Sequence, residues 1–123
     1  MKKKITTQKK KAIARRRADK ILQETVRILY DKCLVCGKPI SCGHHYFPKS
    51  TCSALRYNIK NLIPICQGCH FSHHNGNPEI HNKVNEIKGE EWLEELRAIK
   101  RNEFVKTSLE YYNNIIINLE KLL

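Results

Sequence analysis

Long hydrophobic runs are missing from this 123-residue chain. The longest candidates, Leu62–Ile65 and Ile115–Ile117, fall far short of the roughly 18–20 apolar residues that cross a bilayer, so no membrane partner is expected. No apolar segment follows the leading lysines either, so a secretory signal is not expected. Without export, disulfides are not the default for the six cysteines. No internal repeat is present. Acidic residues are also scarce, at 12 against 23 lysines and arginines.

The charge that remains, +11, is local. Lys2, Lys3, Lys4, Lys9, Lys10, Lys11, Arg15, Arg16, Arg17 and Lys20 crowd the first twenty residues, with Asp19 alone against them. The rest of the chain is nearly neutral. A basic arm on a neutral body suits a polyanion, because phosphate contacts release condensed counterions. A solvated tail that aids solubility is the plainer alternative. Residues 1–11 read as a flexible arm and 12–123 as a single domain.

Apolar positions predict a first helix over about 12–30, with Ile13, Ile21, Leu22, Val26, Leu29 and Tyr30 near one side. Turn signals punctuate 33–65, with His45-Tyr46-Phe47 as a short strand stopped by Pro48. A helix is expected from Gln67 through His74, ended by Asn75-Gly76-Asn77-Pro78. Three more are expected at about 79–87, 89–100 and 107–122, with Trp92, Leu93 and Leu96 as the apolar stripe of the second and Leu109, Tyr112, Ile116, Leu119 and Leu123 as that of the third. They read as packing elements or as a homodimer interface.

Four cysteines form two pairs, Cys33-x2-Cys36 and Cys66-x2-Cys69. Two such turns can close around one tetrahedral Zn²⁺, and the chain has no thioredoxin-like βαβ pattern that would favour redox chemistry. Bound zinc would then be part of the folding free energy, on the order of 10 kcal/mol. Cys42 and Cys52 lack such spacing and read as free thiols.

The histidines cluster around these pairs. His44 and His45 are adjacent, so on a strand they point to opposite faces. His70 follows the last paired cysteine, and His74 lies four residues on, where a helix presents both to one ion. One imidazole can then hold a metal while another takes a proton from water, which suits phosphodiester hydrolysis near neutral pH. Surface histidines or a second structural metal site are the alternatives. Lys49 and Arg56 are candidate phosphate contacts, and Tyr57 is read as core.

The run Cys33-Leu-Val-Cys36, Gly43-His44-His45-Tyr-Phe-Pro48, Asn61-Leu62, Cys66-Gln-Gly-Cys69-His70 resembles the HNH, or ββα-metal, nucleases that carry a four-cysteine zinc site. The resemblance implies a small α+β fold. Its HNH core, over 33–78, would be stapled by zinc and flanked by the basic N-terminal helix and by C-terminal helices over 79–123. It implies His45 as general base, Asn61 as the residue that fixes the loop and orients the base, and His44 and His70 as ligands of the catalytic metal. His74 matches an additional metal histidine of some members. Ser53-Ala54-Leu55-Arg56-Tyr57-Asn58 and Glu90-Glu91-Trp92-Leu93, with the basic arm, are similar to the phage NinG (Rap) recombination proteins, which cleave branched DNA.

The activity so implied is metal-dependent cleavage of duplex or branched DNA in a bacterial or phage-infected cytoplasm. It would leave a 5′-phosphate and a 3′-hydroxyl. Imidazole donors lean towards Zn²⁺, Ni²⁺ or Mn²⁺, while Mg²⁺ would rely on phosphate and water oxygens. The rival reading is a non-enzymatic zinc module that binds nucleic acid. A role in phage DNA packaging, homing or restriction would differ in biology but not in chemistry.

Overall fold

The computed structural model describes residues 4–123. Lys2 and Lys3 of the basic run lie outside them. The described residues form a small α+β fold of five α-helices and one two-stranded sheet.

Helix α1 spans Thr7–Leu29 and starts earlier than the composition of its first turns suggests. Thr6 is the reason. Its Oγ1 accepts from the Lys9 N–H at 3.2 Å, satisfying one of the free donors of the first turn. Lysines, with straight side chains, then propagate the helix. The expected arm over 1–11 is therefore corrected: Thr7–Lys11 are helical. The buried face is the expected one in part, with Ile21, Leu22 and Val26 on it. It consists of Ala14, Ala18, Ile21, Leu22, Thr25 and Val26, while Ile13, Leu29 and Tyr30 are exposed. The two alanines let helix α5 (Leu109–Glu120) approach closely, through Tyr112, Ile116 and Leu119.

Strand β1 (Cys42–His45) pairs antiparallel with β2 (Leu62–Ile65), with His44 opposite Ile63 and His45 opposite Leu62. The strand expected at His45–Phe47 thus lies earlier. After Tyr46 the backbone is captured by the Asn61 side chain and leaves the ladder. Gly43 sits against α1 where a Cβ would come within 2.9 Å of Val26 Cγ2, so no larger residue fits without movement.

Helix α2 (Gln67–His74) matches its expected span and buries none of its own residues. Helices α3 (Glu79–Lys88) and α4 (Glu90–Asn102) meet at Gly89, whose φ of 87° favours glycine. Two smaller cores complete the fold. One joins Cys33, Ile65 and Cys66 to Ile80 of α3. The other joins Cys52 and Leu55 to Leu96 of α4. No helix among the described residues is long and apolar enough to cross a membrane.

Candidate metal centres

The two cysteine pairs converge. Each of Cys33, Cys36, Cys66 and Cys69 offers a sulfur, and all four lie within 4.8 Å of one another. Cys36 Sγ and Cys66 Sγ are 3.5 Å apart. Two ligands about 2.3 Å from a tetrahedral zinc stand about 3.8 Å apart, so small adjustments would admit the ion. Backbone bonds shape the first turn: Gly37 N–H donates to the Cys33 carbonyl at 2.9 Å, and Leu34 N–H to the Pro64 carbonyl of β2 at 2.9 Å. The second turn is the start of α2, where Cys66 Sγ accepts from the Cys69 N–H at 3.4 Å. That bond lowers the Cys66 thiol to about 7, while burial raises Cys69. The four-cysteine cluster can hold a structural metal ion, as the spacing implied.

The same turn sets α2 beside β1, and five imidazoles meet there. His44 is packed against His70, His73, His74 and His81, with ring centroids 5.1, 4.8, 6.1 and 5.3 Å away. His70 Nε2 and His74 Nε2 are 2.9 Å apart. His44, His70 and His74 can supply three nitrogens to one ion. Burial, and then the neighbouring imidazoles, lower the His44 pKa to about 3, so His44 stays neutral and keeps a lone pair for a metal. Burial lowers His70 and His81 in the same way.

His45 points elsewhere. Its Nε2 lies 2.9 Å from the Arg56 carbonyl. A carbonyl only accepts, so Nε2 carries the proton and the neutral ring keeps its lone pair on Nδ1. Burial holds its pKa below the usual histidine value, opposed by that hydrogen bond. Asn61 is wholly buried. Its Oδ1 accepts from Phe47 N–H at 2.8 Å, and its Nδ2 donates to the Phe47 and Leu55 carbonyls at 3.1 Å each. Asn61 therefore clamps the loop that follows the histidine strand against the segment that presents the Arg56 carbonyl.

A cleft of about 580 Å³ opens over this surface, lined by Gln23, His44, His45, Lys49, His70 and His74 among others. Lys49 is exposed at its edge. Arg56, the other expected phosphate contact, is engaged within the protein. Its guanidinium grips Asp19 of α1 with bonds of 3.1 and 2.7 Å, and Tyr57 Oη donates to the same carboxylate at 2.8 Å. The six basic candidates Lys9, Lys10, Lys11, Arg15, Arg16 and Arg17 all lie on α1. Lys9 and Arg16 fall fourteen and seven residues before Gln23, within about 40° of its side of the helix, and so share the cleft side. Arg17 is turned to Glu120 of α5 at 3.1 Å.

Sequence reasoning missed three participants. His73 and His81 join the cluster, so α3 is more than a packing element. The His70, His73, His74 spacing at i, i+3 and i+4 carried a signal for the first of these. Cys42, read as an ordinary thiol, has its Sγ 3.5 Å from His70 Nδ1.

No family model matches the chain, and no solved structure matches it. An alignment 52 residues long, covering 39% of this chain, is 35% identical to the mitochondrial DNA mismatch repair protein mutS homolog of Sarcophyton glaucum. The chain spans about 5% of the length of that relative.

Proposed function

We propose that this protein is a metal-dependent endonuclease of the HNH (ββα-metal) type, stapled by a four-cysteine zinc site and acting on DNA. The observation that carries the reading is the divergence of two adjacent histidines on β1. His44 enters the imidazole cluster with His70 and His74, while His45 is held by the Arg56 carbonyl with Nδ1 free to accept a proton. Surface histidines have no need of opposite neighbours on one strand.

His44, His70 and His74 are the residues that would hold the ion. Such an ion supplies positive charge to a phosphate oxygen and to the leaving oxygen. His45 Nδ1 takes the proton of the attacking water. The water oxygen bonds to phosphorus, the bond to the 3′ oxygen breaks, and that oxygen takes a proton from solvent water to leave as a 3′-hydroxyl beside a 5′-phosphate. Asn61 keeps the His45 loop in register. Lys49, Lys9 and Arg16 contact phosphates along the cleft. The likeness to a protein named for DNA mismatch repair supports DNA as the substrate. The likeness of Ser53–Asn58, Glu90–Leu93 and the basic segment to NinG (Rap) proteins supports branched DNA.

The test is a nicking assay on supercoiled and four-way-junction DNA with Mg²⁺, Mn²⁺, Ni²⁺, Zn²⁺ or EDTA, beside His45→Ala. Cleavage that needs metal and His45, with preference for the junction, is expected. DNA binding without metal-dependent cleavage would instead identify a non-enzymatic zinc module.

A further inference from the structure

Two nitrogen pairs face each other in the histidine cluster, and only one belongs to the site just described. The other is His44 Nε2 and His81 Nε2, 3.1 Å apart. Nitrogens bound about 2.0–2.1 Å from a tetrahedral ion stand about 3.3–3.4 Å apart, close to that separation. His73 supplies a third nitrogen within 4.8 Å. Its Nδ1 is buried with no hydrogen-bond partner, the one such side-chain atom among the described residues. Buried polar atoms are rarely left so, and a ligand is one explanation.

One ring is held in place. His81 lies between His73, stacked at 4.2 Å and 14°, and Tyr46, stacked at 4.5 Å and 15°, so His73 must turn about its Cβ–Cγ bond for its lone pair and that of His81 to converge on one ion. Tyr46 Oη donates to Asn85 Oδ1 of α3 at 2.6 Å, which locks the outer ring. Three imidazoles and no carboxylate make a borderline-soft donor set.

We propose that His44, His73 and His81 form a second metal position, which takes a divalent ion of the Zn²⁺, Ni²⁺ or Co²⁺ type and competes with the first for His44. A neutral imidazole has one lone-pair nitrogen, so His44 completes one triad at a time. The position itself requires no assumption about cleavage. Its regulatory consequence rests on the nuclease reading: an ion held by His73 and His81 withdraws His44 from the cleft.

The experiment titrates the full chain, with its cysteine-bound ion in place, with Co²⁺. It follows the visible absorption of cobalt on nitrogen, while thiolate-to-cobalt bands report any exchange at the cysteines. Wild type takes up one Co²⁺, and His70→Ala/His74→Ala still takes up one. Adding His81→Ala to that pair weakens uptake on the order of 100-fold or more, at least the loss seen when only a ligand's supporting partner is removed. Helix α2 buries none of its residues, so these changes spare the core, and His70→Asn/His74→Asn provides a second pair. No Co²⁺ uptake by folded His70/His74 variants overturns the second position. Two nitrogen-bound ions in wild type overturn the competition. A substitution-free arm records the histidine ¹⁵N spectrum of wild type with Zn²⁺, and uptake that leaves His73 and His81 unmoved also overturns the position. Failure to cleave DNA with Co²⁺ uptake intact sinks the nuclease reading alone.

Discussion

Gln23 and Gly43 are joined by two hydrogen bonds. The Gln23 Nε2–H donates to the Gly43 carbonyl at 2.9 Å, and the Gly43 N–H donates to Gln23 Oε1 at 2.7 Å. A side-chain amide thus stands in for a third strand beside β1, one residue before His44. The basic helix is fastened directly to the strand that carries His44 and His45.

Gln23→Ala removes both bonds and leaves the Gly43 N–H and carbonyl without their partners. A loss of about 1–3 kcal/mol in unfolding free energy is expected, measured by urea denaturation. Gly43→Ala disturbs the same junction differently, by driving a methyl into Val26, and should cost about 1–3 kcal/mol. Wild-type stability in both variants would show that this fastening carries no weight.

Asn61→Asp tests the clamp. Aspartate keeps an acceptor for the Phe47 N–H but presents an anion to two carbonyls that now receive a donated proton. The variant should lose more stability than Asn61→Ala, itself expected to cost at least about 1–3 kcal/mol. Thermal unfolding of both decides the order, and equal melting temperatures would argue against the three bonds.

Cys66→Ser removes one of four sulfurs while its hydroxyl can still accept at the start of α2, so it isolates the loss of the metal ligand. Loss of bound zinc and unfolding are expected, because structural zinc contributes on the order of 10 kcal/mol to such folds. A soluble, zinc-free variant with wild-type thermal stability contradicts the staple.

Lys49 and Arg56 should separate cleanly. Lys49→Ala ought to weaken DNA binding and lower the slope of log affinity against log salt by about 0.9, the value for one phosphate contact. Arg56→Ala should leave that slope unchanged and destabilise the fold, since it strips Asp19 of its partner. A changed salt slope in Arg56→Ala would restore it as a phosphate contact.

His44 predicts a pH dependence. Its pKa falls from about 6.5 in the unfolded chain to about 3 in the folded one, mainly through burial. Between those values the unfolded state binds the extra proton, so the stability tied to a neutral His44 is complete above about pH 6.5 and drains away as pH falls towards 3. The difference in urea midpoint between wild type and His44→Gln should therefore shift against wild type from pH 7.5 to pH 5. A difference independent of pH would sink this.

Short-range features were the legible ones. Cysteine spacing marked the four sulfurs, because each tight turn brings its own pair together before any tertiary contact forms. The end of α2 followed from the stop signal at Asn75-Gly76-Asn77-Pro78. The amphipathic stripes of α4 and α5 located Leu93, Leu96, Tyr112, Ile116 and Leu119 correctly, since burial follows helical period. Leu123 is exposed, because α5 ends at Glu120 and carries it past the packed face. On α1 the same logic found Ile21, Leu22 and Val26 but missed Ala14, Ala18 and Thr25, because alanine and threonine scarcely register as an apolar stripe until α5 packs against them.

By itself, then, the sequence determined the donor chemistry: four paired thiols, a histidine-rich centre, a basic N-terminal segment and an asparagine suited to clamping a loop. The tertiary structure alone decided how those donors are shared. Arg56 was drawn to Asp19, 37 residues away, and so became a brace for α1. His81, carried on a helix beyond the Asn75–Pro78 break, returned to within 3.1 Å of His44. No local pattern encodes that return. It follows from how Ile80 packs against the cysteine core, which fixes the approach of α3 and turns one histidine cluster into two overlapping triads.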